Sequence, residues 1–216
     1  MKKVLLGLLA VLVLAVVVLL GLASTKPDTL AVSRSVLVQA SPADVLPYAQ
    51  DYTHFVKWIP WTALDPQQTV EFSDPPSGVG AWYTWKGNSD VGQGKMTILA
   101  VTPERVDSSL EFIEPFASKA DSFIAMADKG EGKTEITWGF EQDNDLMGKL
   151  MMVFVDMDAM LGADFQKGLD SLKPMVESAA AERIAAEAAA KVEAERQAAE
   201  AAASAEGAEG TPPAAP

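Results

Sequence analysis

Asn144-Asp145-Leu146-Met147-Gly148-Lys149-Leu150-Met151-Met152-Val153-Phe154 opens a run that continues through Met157, Met160, Leu161, Phe165, Leu169 and Leu172 to Val176. Within it Met147, Leu150, Met151, Phe154, Leu161, Phe165, Leu169, Leu172 and Val176 recur at spacings of three, four and seven, which is one stripe on an α-helix. Asn144 or Asp145 supplies a cap for its start. Such a stripe has to be buried, and the chain holds no second long amphipathic helix to cover it. Six or seven strand-like segments precede it instead. The pattern predicts a sheet closed by one C-terminal helix. Gly148, Gly162 and Gly168 interrupt that helix at about 1 kcal/mol each relative to alanine. They mark close backbone approach to the sheet, a break near Gly162, or room left for a ligand.

Working outward, the strands are divided by turn residues. Leu30–Ala40 alternates apolar and polar residues, with Arg34 interrupting the apolar face. Ser41-Pro42 opens a short helix reaching about Asp51, with serine at the cap and proline at the first position. A second helical turn runs from His54 to Trp61 and is ended by Pro60. Strands follow at about Thr69–Ser73, Gly80–Lys86, Gln93–Val101, Arg105–Glu114, Lys119–Asp128 and Lys133–Gln142. Val106, Ser108, Leu110 and Phe112 oppose Asp107, Ser109 and Glu111. Likewise Ile136, Trp138 and Phe140 oppose Glu135, Thr137 and Glu141. One dry face and one wet face are what an antiparallel sheet covered on a single side requires.

The flanks differ in character. Lys2 and Lys3 precede an uncharged apolar run, Val4–Ala23, about long enough to span a bilayer as a helix. Its length favours an uncleaved anchor over a secretory signal, although Gly21-Leu22-Ala23 forms a tolerable cleavage site. The lysines are expected to stay cytoplasmic. The reading is a single-pass protein of the inner membrane with its domain on the extracytoplasmic side, or a periplasmic or secreted one if cleavage follows Ala23. Beyond Val176 the composition turns to alanine and glutamate, with Glu187/Lys191, Lys191/Glu195 and Arg196/Glu200 spaced to pair along a helix. Only Ile184 and Val192 there are large and apolar, too few for a coiled-coil seam and too few to contribute to folding. The expected organisation is an anchor or signal segment at 1–25, a folded domain at 26–177, a charged helical tail at 178–206 that extends the last helix, and a disordered proline-rich end at 207–216.

Charge and composition narrow the chemistry. The net charge is −13, of which the tail from Ser178 carries −4 (seven acidic, three basic residues) and the middle −11. Such a surface repels phosphate backbones, so nucleic acid is not an expected partner. With no cysteine, disulfides, thiol catalysis, lipoprotein acylation and cysteine metal sites are excluded. His54 is the one histidine, beside aromatics and without partners for a triad or metal site, which suits a surface or capping role. Asp143-Asn144-Asp145 begins like a calcium loop, but Met147 and Phe154 stand where ligands are required. Asp156 and Asp158 do not face one another on a helix. The Gly78/Gly80 and Gly92/Gly94 pairs precede strands and are turns, not phosphate cradles. Neither a metal nor a cofactor is expected.

Several local patterns point to one family. They are Val36-Leu37-Val38-Gln39-Ala40-Ser41-Pro42, Trp58-Ile59-Pro60-Trp61 with Leu64-Asp65-Pro66, and Gly78-Val79-Gly80-Ala81-Trp82-Tyr83-Thr84-Trp85-Lys86-Gly87-Asn88. Val91-Gly92-Gln93-Gly94-Lys95-Met96, Leu110 to Pro115, Gly132-Lys133-Thr134-Glu135-Ile136-Thr137-Trp138 and Asp143 through Leu172 continue the series. The chain resembles the polyketide cyclase/dehydrase-like branch of the START and Bet v 1-like (SRPBCC) superfamily over about 30–177. The resemblance implies an α+β helix-grip fold: a curved seven-stranded antiparallel sheet around a long C-terminal helix, two short helices after the first strand, and an apolar cavity between them.

Trp58, Trp61, Tyr83, Trp85, Phe112, Trp138, Phe140, Met147 and Met151 are then candidates to line the cavity. Ordinary core packing is the competing account of each. Arg34 is the candidate anchor for a ligand headgroup, against a salt bridge at the strand's edge. Two function classes follow. One is a membrane-tethered carrier or binding module for an apolar small molecule that is lipid-, isoprenoid- or polyketide-like. The other is a cyclase or dehydratase working on a hydrophobic substrate in the same cavity. No carboxylate pair, triad or metal set stands out, which favours binding. The tail is a possible site for a protein partner.

Overall fold

The computed structural model describes residues 2–209. Helix α1 (Lys2–Ser24) is followed by β1 (Thr29–Val38), three short helices α2 (Pro42–Gln50), α3 (Tyr52–Phe55) and α4 (Trp61–Leu64), and then six strands. These are β2 (Thr69–Phe72), β3 (Trp82–Lys86), β4 (Gln93–Thr102), β5 (Arg105–Glu114), β6 (Ser118–Gly130) and β7 (Lys133–Asp143). Helices α5 (Leu146–Phe154) and α6 (Met157–Glu209) complete the chain.

The strands form one antiparallel seven-stranded sheet in the order β1-β7-β6-β5-β4-β3-β2. Strands β2 to β7 are a meander, because tight turns can join only antiparallel neighbours. Strand β1 instead crosses to the free edge of β7, pairing Val32 with Phe140 and Arg34 with Trp138. The three short helices make the crossing from β1 to β2. Two glycines let the sheet curve: a Cβ at Gly94 would collide with the Trp85 ring, and one at Gly139 with the Phe123 ring. Each ring lies over its cross-strand partner, a register position that only glycine leaves open.

Helix α6 lies along β1 and β7 and buries Phe165, Leu169, Leu172, Val176 and Ala180, spaced four, three, four and four apart. These residues meet a core that includes Val32, Val38, Ile136 and Trp138. Polar contacts seat the helix on the edge strand. Lys173 Nζ donates to the Leu37 carbonyl at 2.8 Å, and the Gln39 N–H donates to Glu177 Oε1 at 2.8 Å. The Arg183 guanidinium reaches Asp44 at 2.7 Å, while that carboxylate also accepts from the Ser41 N–H and hydroxyl that open α2.

Three expectations need correcting. The apolar stripe is not one helix. Asp145 caps α5 by accepting from the Gly148 N–H at 2.8 Å, and Val155 then takes an extended conformation (φ −124°, ψ 129°). Asp156 Oδ1 accepts from the Ala159 N–H at 3.0 Å and starts α6 afresh. The break therefore falls at Val155-Asp156, not at Gly162. Second, α6 runs on to Glu209, past the expected end near residue 206; the rest of the expected proline-rich end, 210–216, lies outside the described residues. Third, the stretch after Val176 is not wholly free of the domain, since Ala180 is buried and Arg183 holds Asp44. From Ala181 to Ala201 the helix is exposed throughout.

Candidate functional site

Burial of aromatic rings organises the interior between the short helices and the far half of the sheet. Phe55 on α3 packs edge-on against Trp58 (4.9 Å between centroids) and Trp138 (6.0 Å), and is tilted against Tyr83 (6.0 Å). Trp138 stacks on Phe165 of α6 at 4.3 Å, and Trp61 stands edge-on to both. Beside these packed rings the interior leaves a hollow.

That hollow is a cavity of about 210 Å³. Phe55, Val56, Ile59, Trp61 and Thr62 form one wall. Val70, Tyr83, Trp85, Met96, Leu110, Phe112, Ser122, Trp138 and Phe140 form the sheet side. Leu161 and Phe165 form the α6 side, and Gln68, Asp90 and Val91 come from loops. An apolar cavity of about 150 Å³ stays dry and takes up benzene, so this one has room for a somewhat larger apolar group.

Most of its polar groups are already engaged. Ser122 Oγ donates to the Gly139 carbonyl at 3.1 Å, Thr62 Oγ1 to the Val56 carbonyl at 2.8 Å, and Trp85 Nε1 to the Val91 carbonyl at 3.2 Å. The Tyr83 hydroxyl and the Trp138 indole N–H have no hydrogen-bond partner among the described residues. No fully enclosed side-chain nitrogen or oxygen is left unsatisfied, so each of these two groups keeps some accessible surface, and both residues line the cavity. Burial, reinforced by the neighbouring Tyr52, pushes the Tyr83 hydroxyl far above its ordinary range. It stays protonated and presents a neutral donor.

Trp61, Tyr83, Trp85, Phe112, Trp138 and Phe140 thus come together around the cavity. Trp58 does not line it; it is buried behind, with its indole N–H donating to the Tyr48 carbonyl at 3.2 Å. Met147 and Met151 lie outside altogether, on the exposed face of α5, because the break at Val155 turns that helix away from the sheet. Arg34 is not a cavity group. Its guanidinium holds both carboxylate oxygens of Asp158, at 3.1 and 3.0 Å, which is the salt bridge of its other reading.

Arg34 also accounts for Gly162, where a Cβ would strike the guanidinium; at Gly168 a Cβ would lie 2.7 Å from the Trp138 ring. Close approach explains both glycines. Gly148 faces only Asn144, so it opens no space in the cavity. His54 Nδ1 lies 3.3 Å from the Pro47 carbonyl, beside the Tyr48 ring.

Among the lining residues that the sequence did not single out as candidates are Phe55, Ile59, Val70, Leu110, Ser122 and Leu161. Two of these carried a signal. Leu110 shares a strand face with Phe112, two residues on, and Leu161 lies one turn before Phe165 on the stripe.

Three solved structures resemble the chain at low identity and show the fold. A protein from Rhizobium loti matches with a TM-score of 0.50 and 16% identity, covering 68% of this chain and 96% of its own. A hypothetical protein from Helicobacter pylori matches at 0.50 and 11%, covering 70% and 90%. A point mutant of a Thalictrum norcoclaurine synthase, in complex with a transition-state analogue, matches at 0.50 and 14%, covering 70% and 96%. No curated protein matches the sequence. Residues 29–177 match the family model described as polyketide cyclase/dehydrase and lipid transport. That span takes in the whole sheet, the short helices and the part of α6 that closes the cavity. The chain is a member of the polyketide cyclase/dehydrase and lipid transport family, with the Bet v 1/START-like helix-grip fold.

Proposed function

We propose that this protein is a membrane-tethered binding or carrier module, displayed on the extracytoplasmic face, for an apolar small molecule that bears a hydrogen-bond acceptor. The observation that carries the reading is the cavity itself. Its wall is largely apolar, and two of the polar groups on it that lack a partner, those of Tyr83 and Trp138, are neutral donors. Pockets built this way take up an apolar body and orient it through a few polar contacts. A carbonyl, ether or hydroxyl oxygen suits these donors; a carboxylate would find no cation among the lining residues. The volume accommodates a compact ring system or one end of a longer isoprenoid- or polyketide-like chain. An elongated ligand lying along the Met147–Phe165 helix face, which the stripe suggests, would not be held by Met147 and Met151, because both are exposed on the outer face of α5.

The tether rests on α1. Among the described residues it is the one helix long and apolar enough to cross a membrane, at a mean hydropathy of 3.2. Two lysines stand at its start. A catalytic reading needs a group that exchanges protons. The acidic group on the lining is Asp90, which is exposed, and Tyr83 holds its proton.

Purification of the full chain followed by mass spectrometry of the extracted small molecules tests the reading, together with displacement of an apolar fluorescent probe. Leu161→Trp fills the cavity and should weaken probe binding at least about tenfold, while Met151→Trp leaves it unchanged. Tyr83→Phe removes one donor and should weaken an oxygen-bearing ligand by about 0.5–1.5 kcal/mol. Equal binding by wild type and a folded Leu161→Trp protein sinks the carrier reading.

A further inference from the structure

Helix α5 is fastened to the exit of α1. The Asn144 N–H donates to the Asp28 carbonyl at 2.7 Å, and Asn144 Nδ2 to the Pro27 carbonyl at 3.2 Å. Lys149 is ion-paired with Asp28, and the end of α1 packs on α5 with Ala23 fully buried. Phe154, Val155 and Met157 share an open cleft with Lys26 and Pro27. Three residues lie between Ser24 and Asp28, four steps along the chain and a reach of at most about 14 Å even when extended. Wherever α1 enters a bilayer, these contacts hold α5 beside the point at which α1 leaves it.

The face that α5 turns outward is apolar. Met147 (65% exposed), Met151 (51%) and Phe154 (70%) stand at spacings of four and three, with Leu146 (59%) beside them. Met160, one turn past the break, is 49% exposed. The helix has no acidic residue, and its sole charged residue, Lys149, is committed to Asp28. Side chains of this kind, left bare on a folded domain, need a cover. The end of α1, a helix apolar enough to cross a membrane, packs on the helix that carries this patch, which selects lipid as that cover.

We propose that α5 lies in the interfacial layer of the bilayer that α1 enters, with Met147, Met151 and Phe154 among the acyl chains. This rests on the tether reading above. The helix binds by apolar insertion, not by attraction to anionic headgroups, since it offers no free cation and the 26–177 region carries a net charge of −11. Leu161 and Phe165, the α6 side of the cavity, follow the break by roughly 6–12 Å of helix rise. Docking of α5 therefore sets the cavity beside the lipid from which an apolar ligand arrives.

The chain has no cysteine, so single labels can be placed at will. The full-length protein is reconstituted in neutral phosphatidylcholine vesicles with a polarity-sensitive fluorophore at Met151→Cys, Phe154→Cys, Leu12→Cys in α1 or Lys119→Cys on the exposed sheet face. Lipid-borne quenchers are then added. The α5 labels should be quenched about twofold or more, as insertion of about 5–10 Å implies, while the Lys119 label stays bright. Anionic lipid should add nothing.

A quenched Leu12 label with bright, water-exposed α5 labels overturns this inference and leaves the tether standing. Unquenched labels at every position overturn both. An interchain disulfide between Met151→Cys copies, with α5 shielded from water but not reached by lipid quenchers, assigns the patch to a second copy and overturns it as well. So does quenching that appears only with anionic lipid.

Discussion

The two halves of the apolar stripe, Met147–Phe154 and Leu161–Val176, have the same residue chemistry and spacing and opposite fates. On α6, Phe165, Leu169, Leu172 and Val176 are at most 3% exposed. On α5, Met147, Met151 and Phe154 are more than half exposed. The difference comes from one extended residue, Val155, and the fresh cap at Asp156, which rotate the first half off the sheet. A hydrophobic period says that a face requires cover. It does not say what supplies it, and here the sheet covers one half while the other is left at the exit of α1.

The sharpest way to break this comparison is to shave both halves equally. Leu169→Ala or Leu172→Ala should cost about 2–5 kcal/mol, because each removes a buried side chain and leaves a cavity. Met151→Ala and Phe154→Ala, measured by thermal unfolding of the full chain in detergent, should each change stability by less than about 0.5 kcal/mol. Equal losses in the two sets would mean that α5 is core after all.

A smaller effect tests how far the buried half extends. Asp44 is hydrogen-bonded first by Arg183 and then by Ser41, which holds its carboxyl at about 2, below the ordinary 3.8. The folded state therefore binds this proton less readily than the unfolded chain. Its stabilising contribution is complete above about pH 4 and is lost as pH falls from there towards 2. Asp44→Asn should cost about 1–2 kcal/mol at neutral pH, through the weakened cap and ion pair, and should flatten the acid limb of the stability curve. A chain ended after Ser178 should lose a similar amount, as it lacks both Ala180 and Arg183. One ended after Glu187 should melt with the full chain. A small change is also expected at the junction of the two halves. Arg34→Ala removes a pair whose Asp158 side chain is 59% exposed, and should cost no more than about 1 kcal/mol, with probe binding unaltered.

Much of the fold was legible because its signals are local. Alternation in Arg105–Glu114 and Lys133–Gln142, the Ser41-Pro42 helix start, and the turn residues between strands each depend on a few neighbours along the chain. Six of the eight aromatic residues that line the cavity were legible for the same reason, as inward positions of strands and of the short helical segment. The break in the stripe was half-legible. Asp156 is a good cap, but within an unbroken apolar period nothing forces it to act as one. The salt bridge of Arg34 was readable only as an alternative, since its partner is 124 residues away.

By itself the sequence determined the class of every strand, the strip of helix that must be buried, the apolar run at the start, and the acidity that turns phosphate backbones away. Periodicity and composition are properties of one dimension, and these follow from them. Only the tertiary structure decided which half of the stripe met the sheet, that Arg34 fills the notch at Gly162, and that Tyr83 and Trp138 are left unpaired around one cavity. Each of those depends on which distant surfaces meet, and a side chain's surroundings are set by the packing of the whole chain, not by its neighbours in sequence.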